Sequence, residues 1–316
     1  MALTLFTHTD FELHNMGDSH PESPQRLSSI RQSLEAFAID EIELNDKAPL
    51  AEIEQLKQTH QSAYIDNLVE KDGWLALRVK EGEVNPEVQL DPDTAMMQHT
   101  WKAARRAAGA GIAAVDAVLD TNNRRAFCAV RPPGHHALRD GAMGFCVLGN
   151  IAIAAHHALN HRGLKRVVIV DFDVHHGNGT ENIVEGDERI RLYSSYQANY
   201  YPFPDISSAK PNVIHTPLER GSDGRVFRDA VISWFADIDA FAPELILISA
   251  GFDAHADDPL AQIKLREDDY NWITAELVQL ADKHCQGRIV SMLEGGYDLS
   301  ALGRSVVAHI KALAEN

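Results

Sequence analysis

Residues 166–179 read Arg-Val-Val-Ile-Val-Asp-Phe-Asp-Val-His-His-Gly-Asn-Gly, and this stretch decides the fold. Residues 167–170 are all apolar and β-branched, which is typical of a strand buried in a parallel sheet. Alternate residues of an extended chain share one face, so Asp171, Asp173 and His175 are predicted to point the same way. Two carboxylates and an imidazole at the end of a strand favour a zinc-type metal site. The alternative is a strand-end cap with solvated carboxylates.

The rest of the chain alternates between strand and helix patterns. Further strands are predicted at 127–130, 189–194, 212–216, 244–249 and 288–293. Helices are predicted at 23–37, 93–119, 150–160, 223–239, 267–284 and 300–313. The alternation predicts one α/β domain over residues 1–316, with a central, mostly parallel sheet and helices on both faces.

Polar segments follow four of these predicted strands, at the end where open parallel sheets bind ligands. After strand 244–249, Asp253 is the predicted third metal ligand. Asp257 and Asp258 compete for this role by sequence alone. The Asp-Pro pair at Asp258, however, is typical of a helix N-terminus, and a helix start is predicted there instead.

A rigid Pro-Pro-Gly turn precedes His135 and His136. These histidines are predicted either to bind a second metal or to act in acid–base catalysis, each imidazole being oriented by an Asp or Asn partner. Tyr297 follows two glycines after the last strand, and it is either a packing residue or a donor to a developing oxyanion. Histidines inside helical patterns, among them His309, are predicted to be structural.

Composition limits the partners of the protein. The 316 residues include 29 Lys+Arg and 46 Asp+Glu, a net charge of −17. Such a surface repels phosphate backbones and attracts cationic substrates, so no nucleic-acid partner is expected. The sequence has no leader-like start and no apolar run of about 18 residues, so no membrane partner is expected. Three cysteines form no disulfide framework, which favours a cytoplasmic location. Oligomerisation is left open.

Five motifs together resemble a known family. They are His-Pro-Glu-Ser-Pro-Gln-Arg-Leu at 20–27, Pro-Pro-Gly-His-His at 132–136, the stretch 171–179, the aspartate-rich segment 253–259, and Leu-Glu-Gly-Gly-Tyr at 293–297. In this order they resemble the zinc-dependent histone deacetylase superfamily, which includes acetylpolyamine amidohydrolases and shares its fold with arginases. Asn178 and the Leu-Glu-Gly-Gly-Tyr motif resemble the class II branch.

The resemblance implies an amide hydrolase that removes acetyl or short acyl groups by means of zinc-activated water. Asp173, His175 and Asp253 match the ligands of a single Zn²⁺ ion. Tyr297 matches the tyrosine that polarises the scissile carbonyl.

The resemblance also assigns the two adjacent histidines. His136, with Asn178 behind it, matches the general base that later acts as the acid. His135, with Asp171 behind it, matches a histidine that stays near the oxyanion as an electrostatic aid.

Two further groups of residues match sites of the family. The residues matching the acyl-lysine channel are Gly144, Phe145 and Phe203. The residues matching a structural K⁺ site are the side chains of Asp171 and Ser194, with the backbone carbonyls of Asp173, His175 and Ser195.

One position bears on the substrate. Where a glutamate after the Asp-Pro pair resembles polyamine recognition, this chain has Leu260. This favours an acylated lysine peptide or protein. A small acylated amine, such as an acetylpolyamine, is the alternative, and the unusual segment 196–206 leaves the acyl length open.

Two rival functions remain. The segment 253–257, Asp-Ala-His-Ala-Asp, is also similar to an element of manganese-dependent arginases, although the Gly-Gly-Asp-His segment of that family is missing. A non-catalytic binding module would be expected to lack a ligand, a histidine or the tyrosine, and this sequence has all of them.

Overall fold

Eight strands pair in one sheet in the computed structural model, which describes residues 3–17, 19–37, 42–208 and 210–314, and every adjacent pair in this sheet is parallel. The strands of this sheet are β1 (Leu3–Phe6), β2 (Ile42–Asn45), β5 (Arg125–Cys128), β6 (Val167–Asp171), β7 (Ile190–Gln197), β8 (Val213–Leu218), β9 (Leu245–Ala250) and β10 (Ile289–Leu293). Two short strands, β3 (Val88–Asp91) and β4 (Thr94–Met96), form a separate antiparallel hairpin.

Helices flank the sheet. They are α1 (Asp10–Leu13), α2 (Gln25–Ala36), α3 (Ile53–Lys57), α4 (Ser62–Lys80), α5 (Thr100–Asp120), α6 (Asn150–Asn160), α7 (Asn178–Val184), α8 (Gly224–Phe241), α9 (Glu267–Cys285) and α10 (Leu299–Ala314). Helix α10 packs on α2 and α9, and α9 packs on α8, whereas α5 packs on α1 and α6. The predicted single α/β domain with a parallel sheet is confirmed. No described helix is long and apolar enough to cross a lipid bilayer.

The predicted helix at 93–119 begins seven residues too early. Residues Thr94–Met96 form β4 instead, and α5 begins at Thr100. The Asp91 carboxylate accepts a hydrogen bond from the Asp93 amide at 2.9 Å, which closes a turn between the two strands of the hairpin. Aspartate favours this local turn over a helix cap because its short side chain reaches the backbone two residues on.

Besides β3 and β4, six described strands and α-helices were not predicted, namely β1, β2, α1, α3, α4 and α7. Strands β1 and β2 are four residues each, too short to show a clear period, and β2 lies at the sheet edge with mixed burial. Helix α4 did carry a signal, since Tyr64, Ile65 and Leu68 recur at helical spacing and are buried. They pack in a second, smaller core beside α5.

The strand order brings the polar segments together. The sheet runs β2-β1-β5-β10-β9-β6-β7-β8, so the four strands followed by polar segments are neighbours. Asp171 at the end of β6 is paired with Ser249 of β9, and Ser249 is paired with Met292 of β10. The carboxyl ends of β5, β10, β9 and β6 therefore lie side by side along one end of the sheet.

His309 on α10 is fully buried between α9 and the sheet. The Thr274 hydroxyl donates to the Tyr270 carbonyl at 2.6 Å, so it accepts a hydrogen bond from His309 Nδ1, also at 2.6 Å. The other ring nitrogen, Nε2, then accepts from the Ser291 hydroxyl at 2.8 Å. Both hydrogen bonds fit a neutral ring, and burial lowers the pKa of His309 to about 3.

Acid is expected to destabilise the fold through His309. Below its unfolded pKa of 6.5 the unfolded chain binds a proton that the folded chain refuses down to about 3, so stability falls as pH falls through this window. Between pH 7 and pH 5 the loss is about 2 kcal/mol. Urea unfolding should show that a His309→Gln variant loses about 2 kcal/mol less over this range than the parent. The exposed His161→Gln control should match the parent, and an unchanged pH dependence in His309→Gln would contradict the assignment.

Candidate active site

Three buried side chains converge beyond the ends of β6 and β9. One ligand atom from each of Asp173, His175 and Asp253 lies within 4.8 Å of the others. His175 Nδ1 is 3.1 Å from Asp173 Oδ1 and 3.2 Å from Asp253 Oδ2. Two carboxylate oxygens and one imidazole nitrogen are the donors that Zn²⁺ takes in a site with an open coordination position.

Backbone amides hold the two carboxylates in place. The Val174 amide donates to Asp253 Oδ1 at 2.9 Å, and the Gly295 amide donates to Asp173 Oδ2 at 2.8 Å. Gly295 has to be a glycine, because a Cβ there would overlap the Asp253 carboxylate. The double glycine in the sequence is therefore explained by close approach of the backbone to these carboxylates.

The charges in this cluster favour a cation. Burial raises the pKa of Asp253, and the Asp173 carboxylate beside it raises that pKa further. Burial would lower the pKa of His175, but hydrogen bonds to the Asp173 and Asp253 carboxylates outweigh it and raise the pKa to about 10. Two adjacent buried carboxylates need positive charge between them, and a divalent ion supplies it. The residues present therefore fit a bound metal.

His135 and His136 lie beside this cluster with their ring centroids 4.0 Å apart. His135 Nδ1 is 3.0 Å from Asp171 Oδ2, and its Nε2 is 3.8 Å from Asp173 Oδ2. His136 Nδ1 donates to the amide oxygen of Asn178 at 2.7 Å. An amide oxygen only accepts, so the proton of a neutral His136 is on Nδ1 and Nε2 has a free lone pair.

The two histidines have opposite pKa shifts. Burial would lower the pKa of His135, but the Asp173 and Asp171 carboxylates outweigh it and raise the pKa well above the usual value. Burial lowers the pKa of His136 well below the usual value, and positive charge on His135 and His175 lowers it further. A pair driven apart in this way has one charged imidazole and one that can accept a proton.

Tyr297 lies two residues after Gly295, whose amide holds the Asp173 carboxylate. Its ring is packed beneath the Arg26 guanidinium at 5.1 Å and meets the Phe145 ring edge-on at 6.0 Å. Burial and the nearby Asp253 carboxylate raise the pKa of Tyr297 well above the usual value. The phenol therefore stays protonated at neutral pH and can donate a hydrogen bond. His20, from the first motif, packs edge-on against Phe145 at 4.5 Å.

The hairpin β3–β4 shapes the entrance at Gly144 and Phe145. The Gly144 amide donates to Asp93 Oδ1 at 3.2 Å, and the Phe145 amide donates to the Thr94 hydroxyl at 2.9 Å. Gly144 has a positive φ of 55°, and a Cβ there would overlap the His136 ring. Gly144 and Phe145, two of the three predicted channel residues, therefore border the site.

Phe203 does not border the site in the same way. Its side chain is 71% exposed, whereas the ring that meets His136 edge-on, at 5.3 Å, belongs to Tyr201. The Tyr201 hydroxyl is buried and has no hydrogen-bond partner among the described residues. That hydroxyl is free to contact a bound molecule.

Leu260 reaches the site through its backbone. Its carbonyl accepts a hydrogen bond from the Tyr200 hydroxyl, and the Tyr200 ring is stacked on His175 with centroids 5.8 Å apart. Leu260, the position expected to bear on the substrate, is therefore connected to the predicted metal ligand His175 through Tyr200.

The predicted helix start at Asp258 is wrong. No helix begins there, and the next described helix is α9. The Asp258 carboxylate instead accepts hydrogen bonds from the amides of Tyr297 at 2.7 Å and Asp298 at 3.2 Å. The sequence pattern is that of a helix N-cap, but the backbone amides that bind the Asp258 carboxylate are 39 and 40 residues away. Asp258 thus positions Tyr297.

The predicted K⁺ side chains lie side by side in the sheet. Asp171 on β6 is paired with Ser194 on β7, and both are fully buried. Asp171 Oδ1 accepts from the Asp173 amide at 3.1 Å, and the Ser194 hydroxyl is hydrogen-bonded to His176 at 2.9 Å. The potassium site stays a prediction.

Residues 20–313 match the histone deacetylase domain. The chain belongs to the histone deacetylase family. It is 34% identical to type-2 histone deacetylase 2 of Dictyostelium discoideum over 96% of the chain, and it spans only 20% of that relative. It is 33% identical to a histone deacetylase-like amidohydrolase of Pseudomonas aeruginosa, over 88% of the chain and 72% of that protein. The crystal structure of the HDA15 HD domain matches with a TM-score of 0.88 at 29% identity, covering 99% of this chain and 90% of that one.

This histone deacetylase domain also contains a supporting carboxylate that sequence reasoning did not use. Glu294, in the Leu-Glu-Gly-Gly-Tyr motif, accepts hydrogen bonds from the amides of Gly134 at 2.7 Å and His135 at 3.1 Å. It also accepts from the Ser249 hydroxyl at 3.1 Å. Glu294 therefore ties the end of β10 to the turn that carries the two histidines.

Proposed function

We propose that the chain is a metal-dependent deacylase that removes acetyl or short acyl groups from lysine side chains. The observation that carries this proposal is the pair His135 and His136, one hydrogen-bonded to Asp171 and the other to Asn178, beside a buried Asp-His-Asp cluster. Hydrolysis of an amide needs a base for water, an acid for the leaving amine and charge stabilisation for the oxyanion. The arrangement offers a group for each.

Asp173, His175 and Asp253 would hold one divalent ion, with Zn²⁺ as the proposed metal. When bound, such an ion lowers the pKa of water to about 7 and polarises a carbonyl oxygen. The same donors accept Fe²⁺ in principle, so metal identity is decided by measurement.

Proton transfer is assigned to His136. Its free Nε2 accepts the proton of the attacking water, while Asn178 keeps Nδ1 protonated and the ring oriented. The same nitrogen then returns the proton to the departing amine. Charged His135 and the Tyr297 hydroxyl stabilise the oxyanion of the tetrahedral intermediate by electrostatic attraction and hydrogen bonding.

The proposal that the substrate is an acylated lysine rests on the side chains next to the catalytic groups. Phe145 and Tyr201 present aromatic rings beside the catalytic groups, which suits the methylene chain of a lysine. Leu260 offers no carboxylate to a second ammonium group of a polyamine. Acetylpolyamines and other small N-acyl amides are the alternative, favoured by the net charge of −17.

The arginase-like alternative is not supported by the positions of its residues. His255 Nε2 is 3.5 Å from the Glu267 carboxylate, and Asp257 is 45% exposed in an ion pair with Arg266. Neither of these two residues belongs to the candidate metal cluster, which consists of Asp173, His175 and Asp253.

The proposal is tested by comparing rates on an acetyl-lysine peptide and on acetylated polyamines with the zinc-loaded protein. We expect faster turnover of the peptide. Tyr297→Phe should lower kcat/KM by about a hundredfold, because one hydrogen-bond donor to the oxyanion is lost. Tyr193→Phe, which removes a hydroxyl that contacts Asp237 and none of the candidate catalytic or metal-binding residues, should leave the rate unchanged.

The outcomes separate the parts of the proposal. Faster turnover of polyamines would contradict the substrate assignment and keep the mechanism. Equal loss in Tyr297→Phe and Tyr193→Phe would contradict the role of Tyr297. No turnover of any acylated amine by the metal-loaded protein would overturn the proposed function. The cytoplasmic location stays a prediction.

A further inference from the structure

A second group of possible metal donors lies at the edge of the sheet, outside the proposed active site. His176 follows β6, Glu181 is on α7, and His215 is on the edge strand β8; we name these three residues the edge cluster. One ligand atom of each lies within 4.8 Å of the others. His176 Nε2 is 2.6 Å from Glu181 Oε2, and His215 Nε2 is 3.4 Å from Glu181 Oε1. The proposed mechanism uses none of them.

Both rings of the edge cluster are oriented from behind. His176 Nδ1 is hydrogen-bonded to the Ser194 hydroxyl at 2.9 Å, and His215 Nδ1 to the Tyr196 hydroxyl at 3.3 Å. In each ring the opposite nitrogen, Nε2, therefore faces the Glu181 carboxylate. A hydrogen bond to the rear nitrogen is the usual support of a metal-binding histidine, because it fixes the ring and its tautomer.

The edge cluster is buried and incompletely satisfied. The side chains of His176, His215 and Glu181 are 0%, 7% and 17% exposed. The Nε2 atom of His215 is buried without a hydrogen-bond partner among the described residues. Buried polar atoms are nearly always satisfied, so this nitrogen indicates a group that it would bind.

The carboxylate is negatively charged at neutral pH. Burial would raise the pKa of Glu181, but the hydrogen bond to His176 and the nearby His215 ring outweigh it and lower the pKa to about 2. An anionic oxygen between two imidazoles is a donor set that transition ions bind and that Mg²⁺ and Ca²⁺, which prefer oxygen ligands, do not.

We propose that His176, Glu181 and His215 form a second divalent-metal site, which binds Zn²⁺ or a similar transition ion through two imidazole nitrogens and one carboxylate oxygen. When the ion binds, the single proton of neutral His176 is on Nδ1 and is donated to the Ser194 hydroxyl, which leaves the Nε2 lone pair for the ion. Bonds of about 2.0–2.2 Å require the 2.6 Å gap between these atoms to widen by less than about 1 Å. A rotation of the flexible Glu181 side chain accommodates this change.

Such an ion links two parts of the fold. It ties α7, which carries Glu181, to the edge strand β8, which carries His215. The first residue of α7 is Asn178, the residue that orients His136. The site is thus connected through α7 to the residue that orients His136, but its binding of metal does not depend on the proposed deacylase activity.

Metal stoichiometry tests the proposal. The 316-residue chain is equilibrated with a slight excess of Zn²⁺, desalted and analysed for zinc by mass spectrometry. We expect two equivalents per chain in the parent and one in His215→Asn and in Glu181→Gln, since losing a ligand weakens binding by at least about a hundredfold. His157→Asn is the matched control, a histidine of similar burial paired with Asp116, and should keep two.

The two sites are then separated by Co²⁺ spectroscopy. An Asp253→Asn chain, which lacks a ligand of the first site, should still show the visible absorption of one bound Co²⁺ ion. The double variant Asp253→Asn/His215→Asn should show none. A parent chain that binds a single equivalent, or edge-cluster variants that keep two, would overturn the proposal. A catalytically inactive chain with two equivalents would contradict the proposed function alone.

Discussion

The Asp253→Asn variant is expected to fold normally, to lose the metal bound with Asp173 and His175, and to lose at least about a thousandfold in kcat/KM on an acylated substrate. Asparagine keeps the oxygen that accepts from the Val174 amide, so the loop after β9 stays anchored. It replaces the oxygen that faces His175 with an amide nitrogen, which does not bind a divalent ion. Loss of a Lewis acid is worth several kcal/mol, and about 4 kcal/mol corresponds to about a thousandfold in rate.

The control for this experiment is Asp257→Asn in the same segment. Asp257 is 45% exposed and pairs with Arg266 and Arg304, so its variant should keep the parent's metal affinity and rate. Zinc is counted per chain, and kcat/KM is measured on the same preparations. Because the edge cluster contributes its own equivalent, the expected change is from two ions to one. An Asp253→Asn chain that keeps its zinc count and more than a tenth of its activity would remove Asp253 from the ligand set.

The parts of the site that the sequence predicted are those set by local spacing. Asp173 and His175 are two residues apart after a buried strand, and extended geometry alone puts them on one face. His135 and His136 are adjacent in a rigid turn. For the same reason the parallel α/β fold followed from the alternation of strands and helices. Strand and helix patterns repeat every two to four residues, so a short stretch of sequence is enough to show them.

The parts that were missed depend on contacts between distant segments. Nothing in the sequence around Asp258 shows that its carboxylate binds amides near Tyr297, and a helix cap was the more ordinary interpretation. Phe203 was predicted as a channel residue but is exposed, and Tyr201 packs against His136 instead, because a loop of irregular backbone decides which ring turns inward. The edge cluster was missed because His215 comes from β8, and strand order is not readable from spacing.

The first motif raises a different issue, that of stability. Glu22 is fully buried, and both its oxygens accept hydrogen bonds from Arg131, at 2.5 and 2.7 Å. It also accepts from Arg26 at 3.1 Å. Burial would raise the pKa of Glu22, but the Arg131 guanidinium, together with His14 and Arg26, lowers it well below the usual value. The carboxylate is therefore the counter-ion of two buried guanidinium groups.

Glu22→Gln is expected to destabilise the protein by about 3–5 kcal/mol, since it leaves Arg131 and Arg26 buried without a negative charge. Urea unfolding at pH 7 followed by circular dichroism measures the change. The control is Glu12→Gln, which breaks an exposed ion pair with Arg31 and should cost less than about 1 kcal/mol. A loss within 1 kcal/mol of that control would show that Arg131 is satisfied by backbone carbonyls alone.

The same change is expected to reach the active site. Arg26 Nε donates to the Gly296 carbonyl at 2.8 Å, and its guanidinium covers the Tyr297 ring. Without Glu22 the guanidinium loses the charge that orients it, so the hydroxyl of Tyr297 is held less firmly. The folded fraction of Glu22→Gln should therefore show a lower kcat, whereas its zinc count should equal that of the parent, because none of the candidate ligands contacts Glu22. Parallel loss of zinc and rate would instead indicate that the segments at the carboxyl ends of the strands had unfolded.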